Sequence, residues 1–229
     1  MGKAIEQIAL EQGHEIVLKI TKENTTDFTK ENLQKADVAI EFTNPESVIQ
    51  NLQVCIDAAV PVVCGSTGWV AQEESIKDYC IANNGTLLFS SNFSIGVNIF
   101  FEINKKLAAL LNMHKAYDVS IKEIHHTAKL DAPSGTAITI AQQILDNNKN
   151  KKNWVLGTAN NNTELPITSI RENPAPGTHS VLYSSAIDAI EIIHTSYSRV
   201  GFAAGALAAA VFLKNKKGIF TMSDVLEIT

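Results

Sequence analysis

The sequence predicts an α/β protein: a parallel sheet with helices on both faces, followed by a second, mixed α/β sheet domain. Two observations carry this. Through the first 90 residues, short apolar runs of strand length alternate with amphipathic helical stretches, the pattern of a parallel sheet joined by crossover helices. Beyond residue 96 the rhythm changes to one long helix, one shorter helix and a series of strand-like segments. At 229 residues the chain accommodates one large or two small domains.

Taken in order, Lys3 to Glu11 is a short amphipathic helix ended by Gly13, and Glu15 to Ile20 is a strand. A polar loop runs through Lys35. Val38 to Phe42 is a strand, and Pro45 to Ala59 a helix with proline in its favoured first turn. Val60 to Cys64 and Thr86 to Ser90 are strands on either side of a helix from Gln72 to Asn83. This is the Rossmann-type order, in which ligands bind at the carboxyl ends of strands. Thr43, Gly65-Ser66-Thr67-Gly68 and Ser91-Asn92-Phe93-Ser94 all stand at such ends. Next come a helix from Val97 to Leu111 and strands at Asn153 to Leu156, Pro166 to Glu172, Gly177 to Ser184 and Ala189 to Tyr197. Asn147 to Asn162, rich in Asn and Lys, is expected to be a mobile surface loop. The Ala-rich stretch Phe202 to Leu213 is too short to span a bilayer and reads as a buried helix.

Hydrophobic content of 45% and charged content of 19% are those of a soluble globular protein. A net charge of −5 gives no reason to expect nucleic acid or an anionic membrane as partner. Cys55, Cys64 and Cys80 are odd in number and have no metal-ligand spacing, so they read as reduced thiols of a cytoplasmic protein. The first residues carry charges and lack the apolar core of a signal peptide.

The densest chemistry lies in Glu123-Ile-His-His-Thr-Ala-Lys-Leu-Asp-Ala-Pro-Ser-Gly-Thr136. Ala116 to Ile124 reads as a strand and Ala137 to Leu145 as a helix, so the run is a strand-to-helix loop. Ser134 is a good N-cap. The N–H groups near Gly135 and Thr136 have no intrahelical acceptor and, with the helix dipole, make a cradle for a carboxylate or phosphate. Lys129 offers a point charge or a proton, and His125 or His126 can carry a proton near neutral pH. On a strand the two imidazoles face opposite ways, so one of them suffices for a substrate. Taken singly, a Ser-Gly-Thr start is an ordinary capped helix and a His-His pair an ordinary polar pair. Together they point to a site for a small anion that is bound and protonated. No metal is expected, because no Cys or further His stands nearby at ligand spacing.

The run resembles the signature of the 4-hydroxy-tetrahydrodipicolinate reductase (dihydrodipicolinate reductase) family, E-x-H-H-x-x-K-x-D-x-P-S-G-T-A, at every fixed position. Glu41-Phe-Thr-Asn-Pro-Glu46 resembles the family's D/E-F-T-x-P-E segment, and Gly65-Ser-Thr-Gly-Trp69 its G-T-T-G-[FW] loop, with Ser66 for Thr. Ser91 to Asn98 resembles the N-F-S-x-G-V-N segment, and His194 to Gly205 the C-terminal H-x-A-x-S-R-x-x-F-A-x-G region. The likeness covers essentially the whole chain.

It implies a Rossmann-type domain from residues 1–95 and 206–229, and a substrate-binding and oligomerisation domain from 96–205. It implies NAD(P)H-dependent reduction of dihydrodipicolinate to tetrahydrodipicolinate in lysine and diaminopimelate biosynthesis, by a homotetramer. His125 and Lys129 are then the catalytic candidates, and His126, Gly135 and Thr136, with Lys129, would hold the dicarboxylate. Gly2, Gly65, Ser66, Thr67, Ser91, Asn92, Phe93 and Ser94 would hold the cofactor. Arg199 is a positioning candidate, and hinges are expected near Phe93 to Gly96 and Ala203 to Gly205.

One departure stands out. The family opens with a strand and a G-x-x-G-x-M-G loop, whereas Met1-Gly2-Lys3 matches only the end of that segment, so the first strand is missing. The expectation is a start assigned to an internal Met; the alternative is an impaired homologue that binds a dicarboxylate without turnover. Cofactor choice is also open. Lys22 favours NADPH and Glu23 NADH, which makes dual use the expectation.

Overall fold

The computed structural model describes residues 1–198 and 200–228. The chain forms two compact units, Met1–Ile95 with Val200–Thr229, and Gly96–Arg199. Arg199, the positioning candidate, lies outside the described residues.

In the first unit, α1 (Gly2–Glu11) and α2 (Lys30–Leu33) precede β1 (Ala39–Glu41), α3 (Val48–Asp57), β2 (Val62–Cys64), α4 (Glu73–Ala82) and β3 (Thr86–Phe89). The second unit holds α5 (Ile95–Leu111), β4 (Asp118–His125), α6 (Gly135–Asn147), β5 (Asn153–Leu156), β6 (Glu164–Arg171), β7 (Thr178–Ser184) and β8 (Ala189–Thr195). The chain then returns to the first unit through α7 (Val200–Leu213), β9 (Gly218–Phe220) and α8 (Met222–Val225).

The first sheet is parallel throughout, in the order β1-β2-β3-β9. Strand alternation sends Val62, Cys64 and Leu87 to one face, where they pack with Leu52 and Ile56 of α3 and Ile76 and Cys80 of α4. Val63 and Leu88 point to the other face and meet Ile5 of α1 and Ala203, Ala206, Ala209 and Ala210 of α7. Both faces are covered, which is why these strands read as unbroken apolar runs. A helix as apolar and small-sided as α7 belongs in such a core.

Gly205 shows how close that packing is. A Cβ built there would fall 1.7 Å from the Phe93 carbonyl oxygen. Gly205→Ala is therefore expected to destabilise by at least about 1–3 kcal/mol, because the obstacle is backbone and cannot rotate away. A urea midpoint equal to that of the wild type would refute it.

Two expectations are corrected here. Glu15 to Ile20 has no regular secondary structure and joins no ladder among the described residues. Leu18 packs on the core, yet Ile16, Val17 and Ile20 stay 37, 41 and 36% exposed. A segment without a hydrogen-bonding neighbour is not a strand. The loop through Lys35 holds a 3-10 turn at Thr25–Asp27 and α2, capped by the Thr29 hydroxyl, which accepts from Asn32 N. Residues 200–205 form the first turns of α7, and Gly205 is wedged against Phe93 within the first unit.

The second sheet is mixed, in the order β5-β6-β4-β7-β8: β5, β6 and β4 run parallel, and β4, β7 and β8 antiparallel. Val119, Ile121, Leu165, Ile167, Val181 and Tyr183 face α5 and α6 and pack with Phe100, Ala108, Ile140 and Ile144. The Asn/Lys-rich stretch is anchored at its start. Asn148 and Lys151 are buried, and the Lys151 ammonium donates to the carbonyls of Asn162 and Glu164 and pairs with Asp118 at 2.6 Å. Burying a lysine requires that its donors be satisfied, and this is how.

Candidate functional site

In the first unit the carboxyl ends of β1, β2 and β3 open onto two cavities. One of ≈ 310 Å³ is lined by Met1, Phe42, Thr43, Pro45, Gly65 and Thr67, among others. The other, ≈ 200 Å³, adds Ser91, Asn92, Phe93 and Phe202, and both share Met1, Phe42 and Gly65. The N-terminus of α1 lies here, with Met1 at the N-cap and no side-chain cap bond, so Gly2 contributes one of the helix's orphan N–H groups. A Cβ on Gly65 would sit 2.2 Å from the Phe42 ring, so glycine lets that ring close over this strand end.

Six of the eight cofactor candidates, Gly65, Ser66, Thr67, Ser91, Asn92 and Phe93, line these cavities, but in different roles. Thr67 and Ser91 are exposed, and Phe93 is buried. Ser66 is buried and braces the loop: its hydroxyl accepts from Thr43 N at 2.8 Å, and its carbonyl from the Trp69 indole at 2.7 Å. Asn92 folds its own turn by accepting from Ser94 N at 2.9 Å.

In the second unit the signature loop runs from the last residue of β4 to the first of α6. His125 ends the strand and is buried; His126 follows it, half-buried. Lys129 is paired with Asp131 at 2.8 Å. Ser134 caps α6 through its hydroxyl, which accepts from Ala137 N at 3.2 Å, and this leaves Gly135 and Thr136 as the helix's first residues. Four of the five expected residues thus line one short loop, and Thr136 sits one residue inside the helix it opens.

Sequence reasoning missed the residues that hold this loop. Glu123 is fully buried. Its Oε1 accepts from Arg171 Nη2 at 2.9 Å and from Ser134 N at 3.1 Å, and its Oε2 lies 3.1 Å from His125 Nδ1. Burial alone would raise its pKa. The contacts from His125, Ser134, Ser169 and Arg171 outweigh that and hold the carboxyl well below the usual carboxylate range. Arg171 also donates to the carbonyls of Asp131 and Lys129, so one guanidinium staples both the carboxylate and the loop. His179, buried on β7, meets the Ser134 hydroxyl at 3.1 Å through Nε2. The pairing register made these neighbours: His125 stands opposite Arg171, and Glu123 opposite His179. Glu123 was legible, as the first letter of the motif. Arg171 and His179 carried no local signal.

His179 leads to a pH prediction. Burial, then the neighbouring His125, pushes its pKa down to about 4. The unfolded imidazole titrates near 6.5, so between those values the unfolded state binds the extra proton. Stability is intact above about pH 6.5 and falls toward pH 4, by about 3 kcal/mol from this group. His179→Gln should flatten that part of a melting-temperature profile; an unchanged slope would clear His179 of the effect.

Residues 1–93 match the family model "Dihydrodipicolinate reductase, N-terminus", and residues 96–226 match "Dihydrodipicolinate reductase, C-terminus". The chain belongs to the dihydrodipicolinate reductase family. It is 47% identical to the 4-hydroxy-tetrahydrodipicolinate reductase of Christiangramia forsetii over 230 residues, covering 99% of this chain and 93% of that one. It is 35% identical to the protein of the same name from Buchnera aphidicola, over 89% of this chain and 77% of that one. In fold it is similar to the dipicolinate-bound dihydrodipicolinate reductase of Paenisporosarcina sp. TG-14, with a TM-score of 0.75 at 22% identity, covering 100% of this chain and 95% of that one. It also resembles an amine dehydrogenase from Mycobacterium smegmatis, with a TM-score of 0.61 at 10% identity over 97% and 92% of the two chains.

Proposed function

We propose that the chain reduces 4-hydroxy-tetrahydrodipicolinate to tetrahydrodipicolinate with NADPH or NADH, in lysine and diaminopimelate biosynthesis. One observation supports this most directly. In a member of this family, the loop from His125 to Thr136 combines an imidazole, an amine and a helix N-terminus. The substrate is a dicarboxylate. His126, Lys129 and the N–H groups of Gly135 and Thr136 hold its carboxylates, the helix end contributing partial positive charge. His125 and Lys129 hold or relay the proton that balances hydride addition.

The first unit fits a dinucleotide, because its cavities lie at the strand ends beside the α1 N-terminus and Gly65 brings backbone to the cavity wall. Gly2, Gly65, Ser66, Thr67 and Ser91 to Ser94 line or brace that cradle. The nicotinamide supplies the hydride. Lys22 and Glu23 are exposed on a turn organised by Asn24, which accepts from Thr21 N at 2.7 Å and donates to the Lys19 carbonyl, and this favours use of both cofactors. A homotetramer in the cytoplasm completes the proposal. Edge strand β8 exposes Ile190 and Ile193, Ile187 beside it is 93% exposed, and the three cysteines are unpaired and buried.

The test is an absorbance assay of NADPH and NADH loss with freshly made substrate, run beside sedimentation of the protein. Dicarboxylate binding without oxidation of either cofactor would sink the reductase reading. Lys22→Ala should shift the preference toward NADH, and Glu23→Ala toward NADPH.

A further inference from the structure

Glu123 Oε2 and His125 Nδ1 are buried and face each other without the alignment of a regular hydrogen bond. The two atoms lie 3.1 Å apart. Buried polar atoms nearly always complete regular hydrogen bonds, so a buried pair that is close but misaligned asks for an explanation. A third donor atom lies beside the pair, because His179 Nε2 is 3.8 Å from the same carboxylate oxygen. One ligand atom from each residue falls within 4.8 Å of the others, and all three residues are buried.

We propose that Glu123, His125 and His179 form a binding site for a divalent transition metal of the zinc type, and that its occupation blocks turnover. Ligands about 2.0–2.1 Å from a tetrahedral ion stand roughly 3.3–3.4 Å from one another, so the 3.1 and 3.8 Å separations bracket the required value. Two imidazoles and one carboxylate, with a fourth position open, are a donor set suited to zinc. The surroundings are already those of a metal ligand. Arg171 and the Ser134 N–H occupy Oε1 of Glu123, fix the carboxylate and leave Oε2 to coordinate. The His125 side chain keeps 10% exposure, which provides an entry path. Coordination needs a lone pair on each ligating nitrogen, so binding displaces any proton there to solvent and replaces the Ser134–His179 hydrogen bond.

The inhibitory half of the proposal rests on the reductase reading above: a metal-bound His125 cannot become the imidazolium that delivers a proton. The binding half does not depend on it. The experiment titrates metal-free, untagged protein with Co²⁺ and reads the visible spectrum, which reports coordination number without turnover. One equivalent of Co²⁺ with the intense bands of a four-coordinate ion is expected. His179→Gln should weaken binding by more than the ~10–100-fold that loss of an outer-shell partner costs. His114→Ala, at an exposed histidine, should leave binding unchanged. In the assay, Zn²⁺ should inhibit the wild type at far lower concentration than it inhibits His179→Gln, and chelator should reverse it. A six-coordinate spectrum, affinity indifferent to His179→Gln, or no binding at all would each overturn the site. Absence of NAD(P)H oxidation in the metal-free protein would instead count against the reductase reading and leave the Co²⁺ result standing.

Discussion

Lys129→Ala is expected to lower kcat by about 10²–10⁴-fold, the range for removal of a positioned acid, while the affinity for NAD(P)H stays as it was. Lys129 belongs to the second unit and the cofactor candidates to the first, so the substitution alters none of those candidates. In the free protein its ammonium is held by Asp131 at 2.8 Å, and its side chain keeps 23% exposure. It is therefore ordered, charged and within reach of a ligand entering from solvent. Because it also offers charge to a carboxylate, KM should rise along with the fall in kcat. Lys129→Arg separates the two roles: it keeps the charge but cannot give up a proton, so it should restore KM more than kcat. The check is steady-state kinetics of all three proteins, with NADPH affinity measured by fluorescence. A kcat within a few-fold of wild type in Lys129→Ala would remove this residue from proton transfer.

Glu123→Ala should cost about 3–5 kcal/mol of stability near neutral pH, the price of breaking a buried ion pair from one side. The carboxylate is fully buried and takes one oxygen to Arg171 and Ser134 and the other to His125. Its loss leaves a guanidinium, itself only 20% exposed, without its counter-charge, and frees the loop that Arg171 staples. The sign with pH follows from the depressed pKa of Glu123. Its contribution is present above the unfolded value of about 4.3 and fades as pH falls below it. Urea denaturation of wild type and variant should therefore give curves well separated at pH 7 that converge in acid. A constant gap down to pH 3 would mean the loss is one of packing, not of charge.

The local code of this chain is easy to read where neighbours in sequence are also neighbours in space. Apolar spacing located α1, α4, α5 and α7 to within a few residues, and Ser134 marked the start of α6 through a cap that needs only Ala137, three residues on. Strand β9 had no such signal. Three residues, Gly218 to Phe220, become a strand only because β3 is there to pair with them. The converse holds for Glu15 to Ile20, whose composition suits a strand but which has no ladder partner among the described residues.

By itself the sequence determined the α/β class, most of its helices and the loop that carries His125, Lys129, Gly135 and Thr136, because each rests on periodicity, capping or a continuous motif. Only the tertiary structure decided what surrounds that loop. Arg171 and His179 reach Glu123 because β4 is flanked by β6 on one side and β7 on the other, in registers that set His125 opposite Arg171 and Glu123 opposite His179. A one-residue slip in either pairing would turn these side chains to the other face of the sheet. Register is a property of whole strands packed on a core, so no window of sequence contains it.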